Sequence, residues 1–85
     1  MKIIKFYADW CGPCKVYAPI FEKVANNLNI TYENINVDKD TTGLAAKYKV
    51  QGIPATVMIK EDGTFEKKVG LINEEKLTEI LQEYA

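Results

Sequence analysis

The chain has 85 residues, 47% of them apolar and 27% charged, an ordinary balance for a single globular domain over residues 1–85. Eleven basic residues are balanced by twelve acidic ones, and the net charge of −1 argues against nucleic acid or an anionic membrane as a partner. The chain has no histidine and two cysteines, which excludes Cys–His catalytic pairs and a framework of several disulfides.

The first predicted element is a buried strand over Lys2–Ala8, which is rich in β-branched and aromatic residues. Charges interrupt this apolar stretch, which is not typical of a signal peptide, so we expect a cytoplasmic protein. A helix is predicted over Gly12–Leu28, with a kink at Pro19. Its apolar stripe comprises Val16, Tyr17, Ile20, Phe21, Val24 and Leu28.

A second strand is predicted over Thr31–Val37, where polar and apolar residues alternate. Asp40, Thr41 and Thr42 come next, and their side chains are suited to capping a short helix that ends near Tyr48. Because a helix joins the first two strands, we expect these strands to be parallel.

The remaining elements form a hairpin and a final helix. Strands over Ala55–Lys60 and Phe65–Val69 are joined by the turn Glu61–Thr64. Asn73 is suited to capping the last helix. The buried face of that helix comprises Leu77, Ile80, Leu81 and Tyr84. The order βαβαββα predicts an α/β fold, a four-stranded mixed sheet flanked by three helices.

The residues suited to catalysis are concentrated in Trp10–Lys15, WCGPCK, between the first strand and the first helix. Backbone N–H groups at a helix start favour the reactive thiolate of Cys11. Gly12 and Pro13 suit the sharp turn. Cys14 is expected to point into the fold and to attack a mixed disulfide formed on Cys11. The pattern therefore predicts a redox-active cysteine pair.

Two other interpretations of the cysteine pair stay open. It could be half of a zinc site, but structural zinc needs four ligands, which would require two chains. It could also be two buried, inert thiols. The position at a strand-to-helix junction favours redox chemistry.

The segment Phe6–Lys15, FYADWCGPCK, resembles the active-site signature of the thioredoxin family, and Tyr48–Ala55, YKVQGIPA, resembles its cis-proline loop. Shorter matches lie at Ala18–Pro19, Asn36–Asp38, Asp62–Gly63 and Val69–Gly70, so the resemblance covers essentially the whole chain. It implies a thioredoxin fold and a protein-disulfide reductase. It also implies no cofactor, disulfide-containing target proteins, an electron donor of the thioredoxin-reductase type, and a monomer.

The resemblance also implies a docking surface. It makes Pro54 a cis-proline beside the disulfide, and it gives the backbone of Ile53 the role of pairing with an extended substrate segment. An exposed apolar rim around Cys11 is expected to mark the docking site for other proteins. This rim comprises Trp10, Pro13, Ile53, Pro54, Gly70 and Leu71.

The chain departs from the family pattern in two respects. It begins at what resembles the second strand of the family, so we expect a minimal form without the usual first strand and helix. Lys5 occupies the position of a buried aspartate near the resolving thiol, and Asn34 that of the lysine that usually partners it. A charged Lys5 would favour a Cys14 thiolate, a neutral one could act as a base, and a solvent-directed one would do neither.

Three alternative functions remain at this point. The first is a glutaredoxin-like reductase that uses glutathione, which the short core would suit. The second is a non-catalytic partner subunit that clamps another protein through the apolar rim. The third is a dimeric iron–sulfur carrier with two cysteines from each chain.

Overall fold

The computed structural model describes residues 2–84. The strands are β1 (Lys2–Tyr7), β2 (Glu33–Asn36), β3 (Ala55–Ile59) and β4 (Phe65–Val69), and the α-helices are α1 (Gly12–Asn27), α2 (Leu44–Lys47) and α3 (Glu74–Tyr84). A 3₁₀ turn over Val37–Lys39 follows β2. Within residues 2–84, no helix has the length and apolar character needed to cross a membrane.

The four strands form one mixed sheet in the order β2-β1-β3-β4. β1 pairs in parallel with β2 and antiparallel with β3, and β4 pairs antiparallel with β3. Since successive side chains of a strand point to opposite faces, the central strands β1 and β3 supply the buried layer on both faces. The predicted mixed four-stranded sheet with three helices is confirmed.

Each face of the sheet is covered by different helices. The first core lies under α1 and α3, and its buried members are Ile3, Tyr17, Phe21, Val24, Ala25, Met58, Leu77 and Leu81. The second core lies under α2, and its buried members are Ile4, Phe6, Tyr48, Ala55 and Val57. Tyr32 and Tyr84 are half-buried against the first core.

The helix ends follow from their capping residues. Pro13 lies in the first turn of α1, where its missing N–H removes no hydrogen bond. Asn73 Oδ1 accepts the Lys76 N–H at 2.8 Å, so the predicted cap of α3 is present. Gly43 is the N-cap residue of α2, and Asp40, three residues earlier, accepts the N–H groups of Leu44 and Ala45 at 3.1 and 2.8 Å.

Several predicted bounds were too long. β1 ends at Tyr7, α1 at Asn27 and β3 at Ile59, and β2 covers only four residues. Val16 was wrongly assigned to the buried stripe of α1, because its side chain is 55% exposed. Tyr17 and Phe21 face the sheet, and a residue adjacent to Tyr17 is turned about 100° around the helix towards solvent.

Candidate active site

The two cysteines lie where α1 begins, directly after the loop that follows β1. Cys11 and Cys14 form a disulfide with their Cα atoms 5.2 Å apart. Both residues are buried, and they pack with Ala8 against Tyr7, Val37 and Ile53. The pair predicted to be redox-active is therefore within bonding distance at the carboxyl end of a central strand.

Cys11 has the geometry of a helix N-cap. Its backbone is extended, with φ −85° and ψ 108°, and its Sγ accepts the Cys14 N–H at 3.2 Å. Its own N–H is held by the Ala8 carbonyl at 3.2 Å. A sulfur in this place receives an N–H of the first turn and lies at the positive end of the helix, and both favour a negative charge on it.

Trp10 is exposed over 68% of its surface, as the rim prediction requires. Its indole Nε1–H donates to Asp38 Oδ2 at 2.8 Å, which ties the active-site loop to the 3₁₀ turn after β2. Asp38 matches the family pattern, but no role was predicted for it. The parallel pairing of β1 with β2 was the available signal, since it places residues that follow the two strands at one edge of the sheet.

The Ile53–Pro54 peptide bond is cis. Pro54 is less than 2% exposed, so its place in the exposed rim was wrong. It directly precedes β3, and its carbonyl accepts the Gly70 N–H at 2.7 Å, which brings the segment after β4 over it. Gly70 has φ +102°, a backbone conformation that side chains other than glycine rarely adopt.

The exposed part of the predicted rim is smaller than expected. Trp10, Pro13 and Leu71 are exposed, whereas Ile53 and Gly70 are half-buried, and Gly12, which was not predicted in the rim, is exposed beside them. We call these six residues the docking surface. Cys11 packs against Ile53 and lies between Trp10 and Gly12 in the chain, so the apolar side chains adjoin the disulfide.

Lys5 is buried in the middle of β1, with only 5% of its surface exposed. Its Nζ lies 5.6 to 5.9 Å from the ring centroids of Tyr7, Phe21 and Tyr32. Burial lowers the pKa of the Lys5 ammonium, and the charge of Glu22 partly opposes this effect. The lysine stem is therefore buried, while Lys5 lines a cavity that it shares with Cys14.

A hydroxyl pair links α1 to β3 beneath the site. Tyr17 Oη and Thr56 Oγ1 are 2.8 Å apart, and both residues are fully buried. Burial raises the pKa of Tyr17 to about 12, while the Thr56 hydrogen bond opposes the rise, so the phenol stays protonated at neutral pH. Tyr17 was predicted in the core, but this pair could not be found from local patterns, because its members are 39 residues apart.

The sequence model of the Thioredoxin family matches residues 1–83. A thioredoxin of Staphylococcus epidermidis is 35% identical over 85 residues, a match covering 99% of this chain and 82% of that protein. A thioredoxin of Mycoplasmoides gallisepticum is 33% identical over 81 residues, covering 94% of this chain and 80% of that protein.

Solved structures show the same likeness. A mutant thioredoxin from Halobacterium salinarum superposes with a TM-score of 0.86 at 35% identity, covering 96% of this chain and 72% of that chain. Fasciola hepatica thioredoxin gives a TM-score of 0.85 at 33% identity, covering 98% of this chain and 79% of that chain.

Proposed function

This chain belongs to the thioredoxin family and is a thiol–disulfide oxidoreductase with a Cys11–Cys14 couple, and from this premise we propose that it reduces disulfides of other proteins. The observation that carries the proposal is the cysteine pair at the start of α1, where Cys11 Sγ accepts a helix N–H. Such a sulfur is a good nucleophile when reduced and a good leaving group when oxidised.

Cys11 is the attacking residue in this proposal. Its thiolate attacks one sulfur of a target disulfide, the Cys11–target bond forms, and the target S–S bond breaks. The electron pair of the broken bond leaves with the second target sulfur, which takes a proton from solvent. Cys11 suits this role because it precedes the first turn of α1 between exposed Trp10 and Gly12.

Cys14 resolves the mixed disulfide. Its sulfur attacks Cys11 Sγ, the Cys11–Cys14 bond forms, and the remaining target sulfur departs with the electron pair. The target disulfide has then gained two electrons and the cysteine pair has lost two. A separate donor, of the thioredoxin-reductase type, must return them, and we place the protein in the cytoplasm because that compartment keeps thiols reduced.

The docking surface is proposed to bind an extended target segment beside Cys11. Sheet pairing of β3 begins at Ala55, and within residues 2–84 no turn or loop hydrogen bond uses the backbone of Ile53. The N–H and C=O of Ile53 therefore suit a strand-like target backbone. Trp10 and Leu71 would cover apolar side chains of the target.

The cysteine roles are tested with insulin as the target and dithiothreitol as the donor. Cys11→Ser is expected to abolish insulin reduction above the dithiothreitol background. Cys14→Ser is expected to accumulate an insulin adduct on Cys11, which mass spectrometry detects and excess dithiothreitol releases. An adduct on Cys14 in the Cys11→Ser variant, formed equally fast, would refute the assignment.

The docking surface is tested by comparing a protein disulfide with a small one. Trp10→Ala and Leu71→Ala should raise KM for insulin several-fold and leave the reaction with a small aromatic disulfide unchanged. Val16→Ala is the matched control, because Val16 is exposed and apolar but lies outside the docking surface. Equal effects of all three variants on insulin would contradict the proposal.

A further inference from the structure

Lys5 is the one charged residue that is buried within residues 2–84. It lies on the central strand β1, opposite Asn34 of β2 and Thr56 of β3. Neither neighbour carries a charge. Because a lysine is almost never buried without a partner, its place in the core requires an explanation beyond packing.

No carboxylate serves as its counter-ion. The ion pairs of the described residues use Lys2, Lys23 and Lys76, and Lys5 takes part in none of them. Three aromatic rings surround its Nζ instead, and aromatic faces attract a cation. These three rings, the aromatic cage, therefore attract the Lys5 ammonium but do not neutralise its charge.

A cavity of about 520 Å³ joins Lys5 to the active site. The buried Cys14 lines it from α1, and Lys5 and Tyr7 line it from β1. The other lining residues are Ala8, Asp9, Lys15, Ala18 and Asn34. Within the described residues no fully buried side-chain nitrogen or oxygen lacks a partner, so the unbonded Lys5 ammonium keeps contact with solvent through this cavity.

The remaining titratable groups around Lys5 do not neutralise it. Asp9 and Lys15 are exposed at the cavity and carry opposite charges. Glu22, on α1, is exposed and acts on Lys5 only through its field. Burial raises the pKa of Tyr17 to about 12, so this phenol is uncharged at neutral pH. Cys14 lines the same cavity as Lys5, and its sulfur gains a negative charge in the reaction cycle.

We propose that the Lys5 ammonium is the counter-ion of the Cys14 thiolate in the reduced protein, which makes Lys5 a positioning residue for the resolving step. The proposal rests on the function proposed above, in which Cys14 attacks Cys11 Sγ. When the disulfide is reduced, its S–S bond breaks and Cys14 receives one electron pair. Beside an ammonium, that sulfur stays a thiolate and needs no base before it attacks the mixed disulfide.

The rate of resolution gives the first test. An ordinary thiol with a pKa of about 8.5 is only about 3% thiolate at pH 7. Replacing Lys5 with Met, which is uncharged and of similar length, should slow release of the target sulfur bound to Cys11 more than tenfold at pH 7. The gap should close towards pH 9, where the thiolate forms without help. Equal single-turnover rates of the two proteins from pH 6 to 9 would overturn the proposal.

The equilibrium with a thiol buffer gives a second, independent test. Reduction of Lys5→Met should take up one proton more than reduction of the wild type between about pH 6 and 8. One proton changes the equilibrium constant tenfold per pH unit, which corresponds to about 30 mV for a two-electron couple. The reduction potential of the wild type should therefore fall by about 30 mV less per pH unit than that of Lys5→Met. Parallel slopes would overturn the proposal.

Three further variants separate the counter-ion from general effects. Lys5→Arg keeps the charge and should keep the shallow slope. Lys15→Met removes an exposed lysine of the same cavity and should leave the slope unchanged. In a Cys11→Ser background, the thiolate absorption of Cys14 near 240 nm should titrate below that of an ordinary thiol, and adding Lys5→Met should restore it to the ordinary value.

These readouts are distinct from the proposed function. The thiol-buffer equilibrium requires no protein target, so a protein that fails to reduce insulin can still display the slope difference. If Lys5→Met leaves the slope of reduction potential against pH unchanged, or if Lys15→Met alters it equally, the counter-ion role of Lys5 is rejected. The proposed reductase activity is unaffected by either result.

Discussion

The two faces of the sheet differ in the chemistry of what they bury. The face under α1 and α3 buries the Lys5 side chain and the Tyr17–Thr56 hydroxyl pair together with its apolar core. The face under α2 buries an apolar core, to which Tyr48 adds the one polar atom at its margin. Both faces are made by alternate residues of the same strands, so the contrast does not arise because the two faces use different strands.

The difference shows where polarity is placed in this fold. Burying a polar group costs free energy unless it is hydrogen-bonded, and burying a charge costs more. Within residues 2–84, the buried lysine and the buried threonine, Lys5 and Thr56, both lie on the face that carries α1, the helix of the cysteines. Of these groups, Lys5 lines a cavity with Cys14, whereas the Tyr17–Thr56 pair joins α1 to β3, and the face under α2 provides the matched reference.

The largest expected effect comes from removing one large ring from each face. Phe21→Ala and Phe6→Ala should each lower the free energy of unfolding by about 3–5 kcal/mol, since both side chains are fully buried. Urea denaturation measures both losses. Of these two rings, Phe21 belongs to the aromatic cage of Lys5 and Phe6 does not. Phe21→Ala should therefore alter how the free energy of unfolding varies between pH 7 and 10, whereas Phe6→Ala should not. An equal change in Phe6→Ala would break the comparison.

The next effect concerns the buried hydroxyls. Tyr17→Phe or Thr56→Val alone leaves one buried hydroxyl without its partner and should cost about 1–3 kcal/mol. The double variant should be less destabilised than the sum of the two, because no unpaired group remains. A double-mutant cycle by urea denaturation measures the coupling. Additive losses would show that the two hydroxyls do not depend on each other.

The control for the hydroxyl pair lies on the other face. Val57 is fully buried next to Thr56 in the sequence and faces the apolar core. Val57→Thr replaces a methyl group with a hydroxyl of nearly the same volume in an apolar core. It should lower the free energy of unfolding by about 1–3 kcal/mol. A neutral substitution would mean that the α2 face accepts polarity as readily as the α1 face.

A smaller effect is expected from the buried charge. The pKa of Lys5 is lowered in the folded protein, so the unfolded chain binds this proton more tightly. The charge therefore costs stability at neutral pH, and that cost disappears as the pH rises from the folded towards the unfolded pKa. Oxidised Lys5→Met should be more stable than wild type at pH 7 and should lack the rise in stability towards pH 10. A less stable variant at pH 7 would contradict this sign.

Local patterns predicted most of the fold and the centre of the site. Alternation and helical spacing located the strands and helices, and the cysteine spacing at a strand end located the redox pair. The burial of Pro54 could not be predicted, because it depends on the Gly70 segment that returns from β4. The burial of Lys5 could not be predicted either, since a lysine stem reaches solvent from many core positions.

The smallest effect is expected at the α2 face, where one half-buried carboxylate orders a single helical turn. Asp40 accepts the N–H groups of Leu44 and Ala45, and these bonds, chiefly the one from Ala45, lower the pKa of Asp40. Its stabilising effect is therefore complete above the unfolded pKa and is lost as the pH falls through the folded one. Asp40→Ala should speed amide hydrogen exchange of Leu44 and Ala45 at neutral pH while leaving amides of α1 unchanged. Asp40→Asn is the matched control, because it retains one acceptor oxygen and should give an intermediate rate that no longer depends on acid titration. Exchange that quickens equally in α1 would mean that this cap stabilises the whole domain, and the two faces would then not be energetically separate.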